Sequence, residues 1–335
     1  MQLWGGLELM NVTEEQPTTP TRLANMPISF FAVVMGMAGL TLAWEKAEQV
    51  TIMPFMASPI HAAVTGGVFV ILLCFYIAKY FLHRVEVMKE LNHPVRLSFF
   101  PAITISLLLL SVISFEFSTV LSKSLWIVGA AGHLLMTFYV LSAWINHSHF
   151  EIQHMNPAWF IPVVGNIIAP IGGVQHGLID VSWFFFAIGF VFWVILMVII
   201  FYRIIFHNPI PDCLMPTFFI LIAPPAIGFV SYVKLTGGLD AFALILFNTA
   251  LFLTMMLSTQ IVKFARLQFY LSWWAYSFPL AAMTIATFVM AEVTDKGWYS
   301  TLAMGLFVIL NIVLAILSVR TIEAMLKNQI CVVED

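Results

Sequence analysis

Trp273-Trp274-Ala275-Tyr276-Ser277-Phe278-Pro279-Leu280-Ala281-Ala282-Met283 lies inside a run, Leu267 to Ala291, that carries no charged residue. A run of this character is long enough to cross a bilayer, which takes about 20 apolar residues. Pro279 falls in its middle. Proline has no backbone N–H and clashes one turn back, so the carbonyl of Ala275 is expected to lose its helical partner. In lipid a freed carbonyl is costly unless protein or water satisfies it. The helix is therefore expected to kink at Pro279 and to face a bundle interior or a wet cavity. Phe278, beside the kink, would turn a large ring toward that cavity.

The rest of the chain is of the same kind. Of its 335 residues, 61% are hydrophobic and 9% charged, where soluble domains carry roughly 25% charge. This composition defines an all-α polytopic membrane protein. The net charge of -3 comes with no basic patch, so no nucleic-acid partner is expected. Cys74, Cys213 and Cys331 are scattered and make no disulfide or metal pattern. Residues 1–26 lack a basic stretch followed by an apolar core, and are expected to be a polar cytoplasmic lead-in rather than a signal peptide.

Ten apolar runs qualify as spans: roughly 27–44, 58–81, 97–115, 122–145, 157–176, 181–202, 213–233, 239–261, 272–291 and 297–319. They divide the chain into the lead-in, a ten-span channel domain over 27–320 and a cytoplasmic tail over 321–335. Short connections make sequence neighbours antiparallel hairpins. An even count puts both termini on one side. That side carries Arg22, Lys79, Arg84, Lys89, Arg96, Arg203, Lys263, Arg266, Arg320 and Lys327, against Lys46, Lys123, Lys234 and Lys296 on the other. The bias predicts cytoplasmic termini.

Odd and even spans differ. Pro101 lies in the third, Pro162 and Pro170 in the fifth, Pro224 and Pro225 in the seventh and Pro279 in the ninth, whereas Pro59 alone approaches an even span. The odd spans also open alike: Pro27 before Phe30-Phe31, Pro94 before Phe99-Phe100, Pro157 before Phe160, Pro216 before Phe218-Phe219. The pattern reads as five repeats of a helical hairpin. Broken helices are tolerated where they line a cavity. Two rings are therefore expected: five kinked odd helices around an axial pore, and five even helices outside them.

The pathway so defined has no carboxylate or lysine within the membrane. Glu45, Glu116, Asp180, Asp240 and Glu292 all fall near span ends. Candidate lining residues are Phe30, Phe31, Gly36, Phe99, Phe100, Pro101, Pro162, Asn166, Pro224, Pro225, Ser277, Phe278 and Pro279, with hydroxyls such as Thr104, Ser106, Ser111, Ser114, Ser231, Thr284 and Thr287. A conduit without fixed charge binds ions weakly and releases them quickly, as a channel must. Hydroxyls and the positive edges of phenylalanine rings permit contact with anions. His133, in the fourth span, is the one candidate for a proton carrier away from a span end, although a packed histidine is the plainer reading. The loop group His147, His149, Glu151 and His154 lacks metalloprotease spacing and reads as solvated rather than as a metal or enzymatic site. No cofactor is expected. Gly66-Gly67 and Gly129-Ala130-Ala131-Gly132 on even spans suggest close helix packing.

Ten spans, kinked odd helices, the block Trp274 to Met283, Phe30-Phe31-Ala32-Val33-Val34-Met35-Gly36-Met37-Ala38-Gly39-Leu40-Thr41-Leu42-Ala43-Trp44 and His93-Pro94-Val95-Arg96-Leu97-Ser98-Phe99 together resemble the tellurite-resistance/dicarboxylate transporter family. It includes bacterial TehA, to which the likeness is greatest, and the plant guard-cell slow anion channels. The resemblance implies a homotrimer in the bacterial inner (plasma) membrane, one pore per subunit, small anions such as nitrate and chloride as cargo, and Phe278 as a gate whose ring occludes the pore. It also leaves open a proton-coupled carrier exporting sulfite, tellurite or a C4-dicarboxylate. One departure stands out: relatives often have proline in the first span where this chain has Val34. That kink is expected to be absent or softened here.

Overall fold

The computed structural model describes residues 22–50, 55–146 and 150–332. Among the described residues, ten helices are long and apolar enough to cross a membrane: Ile28–Val50, Ser58–Leu82, Arg96–Ser114, Thr119–Asn146, Pro157–Gln175, Ile179–Phe206, Asp212–Thr236, Ala241–Ser258, Leu271–Thr294 and Gly297–Leu326. They are numbered here as the first to tenth spans. Short helices Arg84–Asn92 and Ile261–Ala265 occupy two of the connections. The tenth span outlasts its apolar run, because Glu323 pairs with Arg320 and Lys327 along its last turns.

Burial separates the spans into two sets. Between 67% and 94% of the most apolar stretch of each odd span is buried, against 17% to 33% for each even span. The odd spans also close a ring: the first packs on the third, the third on the fifth, the fifth on the seventh, the seventh on the ninth and the ninth on the first. Each even span lies in the groove between its hairpin partner and the next odd span. An all-apolar even helix can meet lipid along one face and the ring along the other.

The odd spans change helix type along their length. Each begins with 3₁₀ geometry, over Ile28–Phe30, Arg96–Phe99, Pro157–Trp159, Asp212–Ile222 and Leu271–Tyr276, and later continues as α-helix. The fifth reverts to 3₁₀ over Gly165–Ile168. The prolines mark these junctions. Pro101 caps the α segment Ala102–Ser114, Pro224 and Pro225 fall in the first turn of Ala223–Thr236, and Pro279 is third in Ser277–Thr294. In a first turn the backbone N–H has no helical partner to lose, so proline costs little there. The break at Pro279 is thus a 3₁₀-to-α junction ahead of it, not a kink in mid-helix. In the first span, α-helix runs unbroken from Phe31 to Val50 through the buried Val34.

Where the chain termini emerge, one buried network ties three elements. Lys79 Nζ donates to Glu90 Oε2 and to the carbonyl of Met26, both at 2.8 Å. Tyr76 donates its hydroxyl to Glu90 at 2.9 Å, and the Ile28 N–H donates to Glu90 at 3.2 Å. The second span, the helix Arg84–Asn92 and the start of the first span are joined through a single carboxylate. The sequence reading took Lys79 only as a charge of the loops; it is 1% exposed.

Candidate functional site

Three cavities lie along the axis, and each is walled by all five odd spans and by none of the even ones. The largest, about 860 Å³, opens at the ends of the odd spans remote from the termini. Its mouth carries Glu45, Lys46, Glu116, Lys234 and Glu292, and its depth is lined by Leu109, Val112, Ile227, Val230, Ile285 and Val289. A second, about 40 Å³, is walled by Met35, Ile105, Phe160, Val164, Ile168, Pro224 and Ile227. A third, about 50 Å³, lies toward the termini among Ser29, Phe99, Ile161, Thr217, Trp274 and Pro279. Among the described residues, Phe278 is the one that borders all three. Its ring therefore separates a wide vestibule from two voids little larger than a few water molecules.

Phe278 is held by close approach of the ninth span to the first. A Cβ on Gly36 would overlap the Ser277 side chain, and one on Gly39 would fall 2.7 Å from the Ala281 Cβ. Only glycine lets these helices come this near at the level of the ring.

Of the expected lining residues, Phe278, Phe99, Pro224 and Pro279 border the axial cavities. The others occupy helix contacts. Phe31 meets Phe69 and Tyr76 edge-on at 6.1 and 6.0 Å, and Phe100 meets Tyr76 at 6.2 Å, so both address the second span. Gly36 and Ser277 face each other between the first and ninth spans. Asn166 donates to Thr137 at 2.8 Å and to the Val163 carbonyl at 2.7 Å, and Thr137 in turn donates to the carbonyl of Pro162. Phe30, Pro101 and Pro225 are buried in the packing.

Of the hydroxyls that the sequence offers to the pathway, Ser29 borders the third cavity, and most others are engaged elsewhere. Ser106 donates to Ala102, Thr284 to Leu280, Thr287 to Met283 and Ser231 to Ile167, each at 2.6 to 2.8 Å and each to a backbone carbonyl. A hydroxyl in an apolar interior takes the nearest carbonyl. The walls around Phe278 are accordingly mostly hydrocarbon and aromatic, with Ser29, Thr217 and Ser272 adding hydroxyls on the side toward the termini.

His133 is fully buried between the third, fourth and fifth spans. Its Nδ1 lies 2.9 Å from the Thr104 hydroxyl, its Nε2 has no partner, and it abuts Gly165 from behind the cavity wall. His147 and His149 lie outside the described residues. Among the described residues no group of His, Cys, Asp or Glu is placed to hold a metal ion. Gly129 and Gly132 pack on the third span as expected of small residues, whereas none of the described residues lies within 4 Å of where a Cβ would stand on Gly66 or Gly67.

A closed ring of broken helices around axial cavities, wrapped by lipid-facing helices, defines a polytopic membrane protein built around a path through its own centre. The chain belongs to the family described as voltage-dependent anion channel, whose profile matches residues 25–322. It is 27% identical over 307 residues to the S-type anion channel SLAH3 of Arabidopsis thaliana, covering 90% of this chain and 48% of the relative. It is 25% identical over 334 residues to an uncharacterized transporter of Methanocaldococcus jannaschii, covering 92% and 97%. It is 25% identical over 329 residues to the tellurite resistance protein TehA homolog of Haemophilus influenzae, covering 96% and 94%. The chain spans about half the length of the plant channel, and nearly all of the two prokaryotic relatives.

Proposed function

We propose that this protein conducts small inorganic anions passively along the axis of its odd spans, and that the Phe278 ring is the gate. The supporting observation is that Phe278, alone among the described residues, borders the vestibule and both smaller cavities. With the ring in place an anion meets an apolar constriction with no cation to replace its hydration. Moving a charge into such surroundings costs about 2.5 kcal/mol or more, so the resting protein is nearly silent. Weakly hydrated anions lose least on entering, which places nitrate ahead of chloride. The protein sits in a bacterial inner membrane with both termini cytoplasmic, as a homotrimer with one path per subunit. The orientation rests on the lysine and arginine bias, and the trimer on family likeness.

The test is anion current or liposome flux for wild type and Phe278→Ala, with nitrate, chloride and a large organic anion at two pH values. Large nitrate and chloride currents in the alanine variant, insensitive to pH, are expected. Flux that saturates, follows a proton gradient and ignores the change at Phe278 would instead establish a coupled carrier of sulfite, tellurite or a dicarboxylate.

A further inference from the structure

The mouth of the vestibule is charged, and its charges are unevenly paired. Lys46 Nζ lies 3.1 Å from Glu292 Oε2. Lys234 lines the same cavity with Glu45 and Glu116, and among the described residues it forms no ion pair of that kind. It stands in the last turn of the seventh span, which Gly237 closes in a left-handed conformation. The carbonyl end of a helix favours a cation there. Beneath this rim the walls are apolar, including Val112, Val230 and Val289. Low-dielectric walls concentrate the field of the rim charges into the space between them.

We infer that Lys234 is the docking residue for anions at this mouth, opposed by Glu45 and Glu116, and that the balance between them makes conduction directional. Resting on the anion-conduction reading above, this names the group an anion meets before it reaches Phe278. Glu45 and Glu116 share the rim with Lys234, while Glu292 is taken up by Lys46, so carboxylates are in excess over ammonium groups there. Anions leaving through the vestibule are favoured by that excess, and anions entering through it depend on Lys234. The protein thus rectifies, passing anions outward through this mouth more readily than inward.

The experiment is patch recording from proteoliposomes in symmetric nitrate, with Lys234→Gln, Lys234→Arg and Glu116→Gln each made in the Phe278→Ala background. Lys234→Gln is expected to lower the current of anions entering through the vestibule about threefold at roughly 0.05 M salt and to lower the opposite current less. Lys234→Arg restores it, and Glu116→Gln raises it. All three differences shrink at high salt, where the screening length falls toward about 3 Å at 1 M. A helix-capping role for Lys234 would move stability without moving the ratio of the two currents. Unchanged current size and ratio in both Lys234→Gln and Glu116→Gln, with the background still conducting, overturns the inference. Absence of anion current in the Phe278→Ala background overturns the conduction reading, and this inference with it. Should Lys234→Gln fail to yield monodisperse protein, Glu116→Gln decides alone, and no rise in its current rejects the proposal.

Discussion

On one side of Phe278 the axis widens into about 860 Å³ rimmed by five charged residues; on the other it narrows to voids of about 40 and 50 Å³ walled mostly by hydrocarbon and aromatic groups. The same five helices build both. The difference comes from helix type and from what each end of a helix offers. Toward the termini the odd spans run as 3₁₀ turns rich in phenylalanine and proline. Away from them they are α-helices, and the first, seventh and ninth carry lysine or glutamate near their ends. A wide, charged space holds hydrated ions at little cost, and a narrow, apolar one excludes them. Under the proposed gate, the ring at this boundary decides whether the two communicate.

The severest way to break that contrast is to remove the ring. Phe278→Ala joins the three cavities, and anion current is expected to rise about a hundredfold or more, since each 1.36 kcal/mol taken from a barrier is worth tenfold in rate. Current equal to wild type would move the boundary to another residue. Next comes a comparison of ion pairs at the two ends. Lys79–Glu90, at the terminal end, is buried with side chains 1% and 4% exposed, whereas Lys46–Glu292, at the vestibule, is 26% and 56% exposed. Lys79→Met strands a buried carboxylate that also holds Tyr76 and the Ile28 N–H, and is expected to cost about 3 kcal/mol or more of stability. Lys46→Met should cost at most about 1 kcal/mol. Thermal unfolding in detergent measures both, and similar losses would show that the terminal network does not pin the first span.

Much of this architecture is legible in the sequence. The proline alternation, Pro101, Pro162, Pro170, Pro224, Pro225 and Pro279 against Pro59, separates inner from outer helices because only helices with protein or cavity around them can leave carbonyls unpaired. Phe278 was readable as a ring beside a break. The direction of side chains around a helix was not. Phe31 and Phe100 sit in the same opening pattern as Phe99, yet only Phe99 reaches a cavity, while the other two meet Tyr76. Irregular 3₁₀ turns disturb the 3.6-residue period from which a face is inferred. The Lys79–Glu90 pair was hidden for another reason: its partners lie on different elements, and one of them ends an apolar run where a snorkelling lysine is the ordinary expectation. The serines and threonines misled in the opposite sense, since a polar residue in a membrane helix suggests a wet face even where it bonds its own backbone.

That last point sharpens the contrast further. If the walls near Phe278 are apolar because Ser106 and Thr284 donate to the carbonyls of Ala102 and Leu280, then Ser106→Ala and Thr284→Ala in the Phe278→Ala background should change nitrate current less than about twofold, as loss of an interaction below about 0.4 kcal/mol would. A large drop in either would place that hydroxyl on the ion's path and return fixed polar contacts to the narrow side.

The smallest expected effect lies just beyond the end of the fifth span, on the vestibule side. The Ser122 hydroxyl donates to the carbonyl of Ser111 at 2.7 Å, so the His176 Nε2 at 3.0 Å from the Ser122 oxygen is the donor of that pair. Burial, and then the charge of Lys123, lower the His176 pKa below its ordinary value. A base whose pKa is lowered on folding favours its neutral form in the folded protein. Its contribution is therefore present above the ordinary histidine value of about 6.5 and is lost as pH falls below it. The ring is partly exposed and screened, so the loss should amount to about 1 °C in melting temperature between pH 8 and pH 5. His176→Gln, which keeps a donor without a titrating proton, should remove that pH-dependent part and leave the melting temperature at pH 8 nearly unchanged. A fall of the same size in the glutamine variant would assign the acid sensitivity to the carboxylates of the vestibule rim, and so return it to the charged side of the comparison.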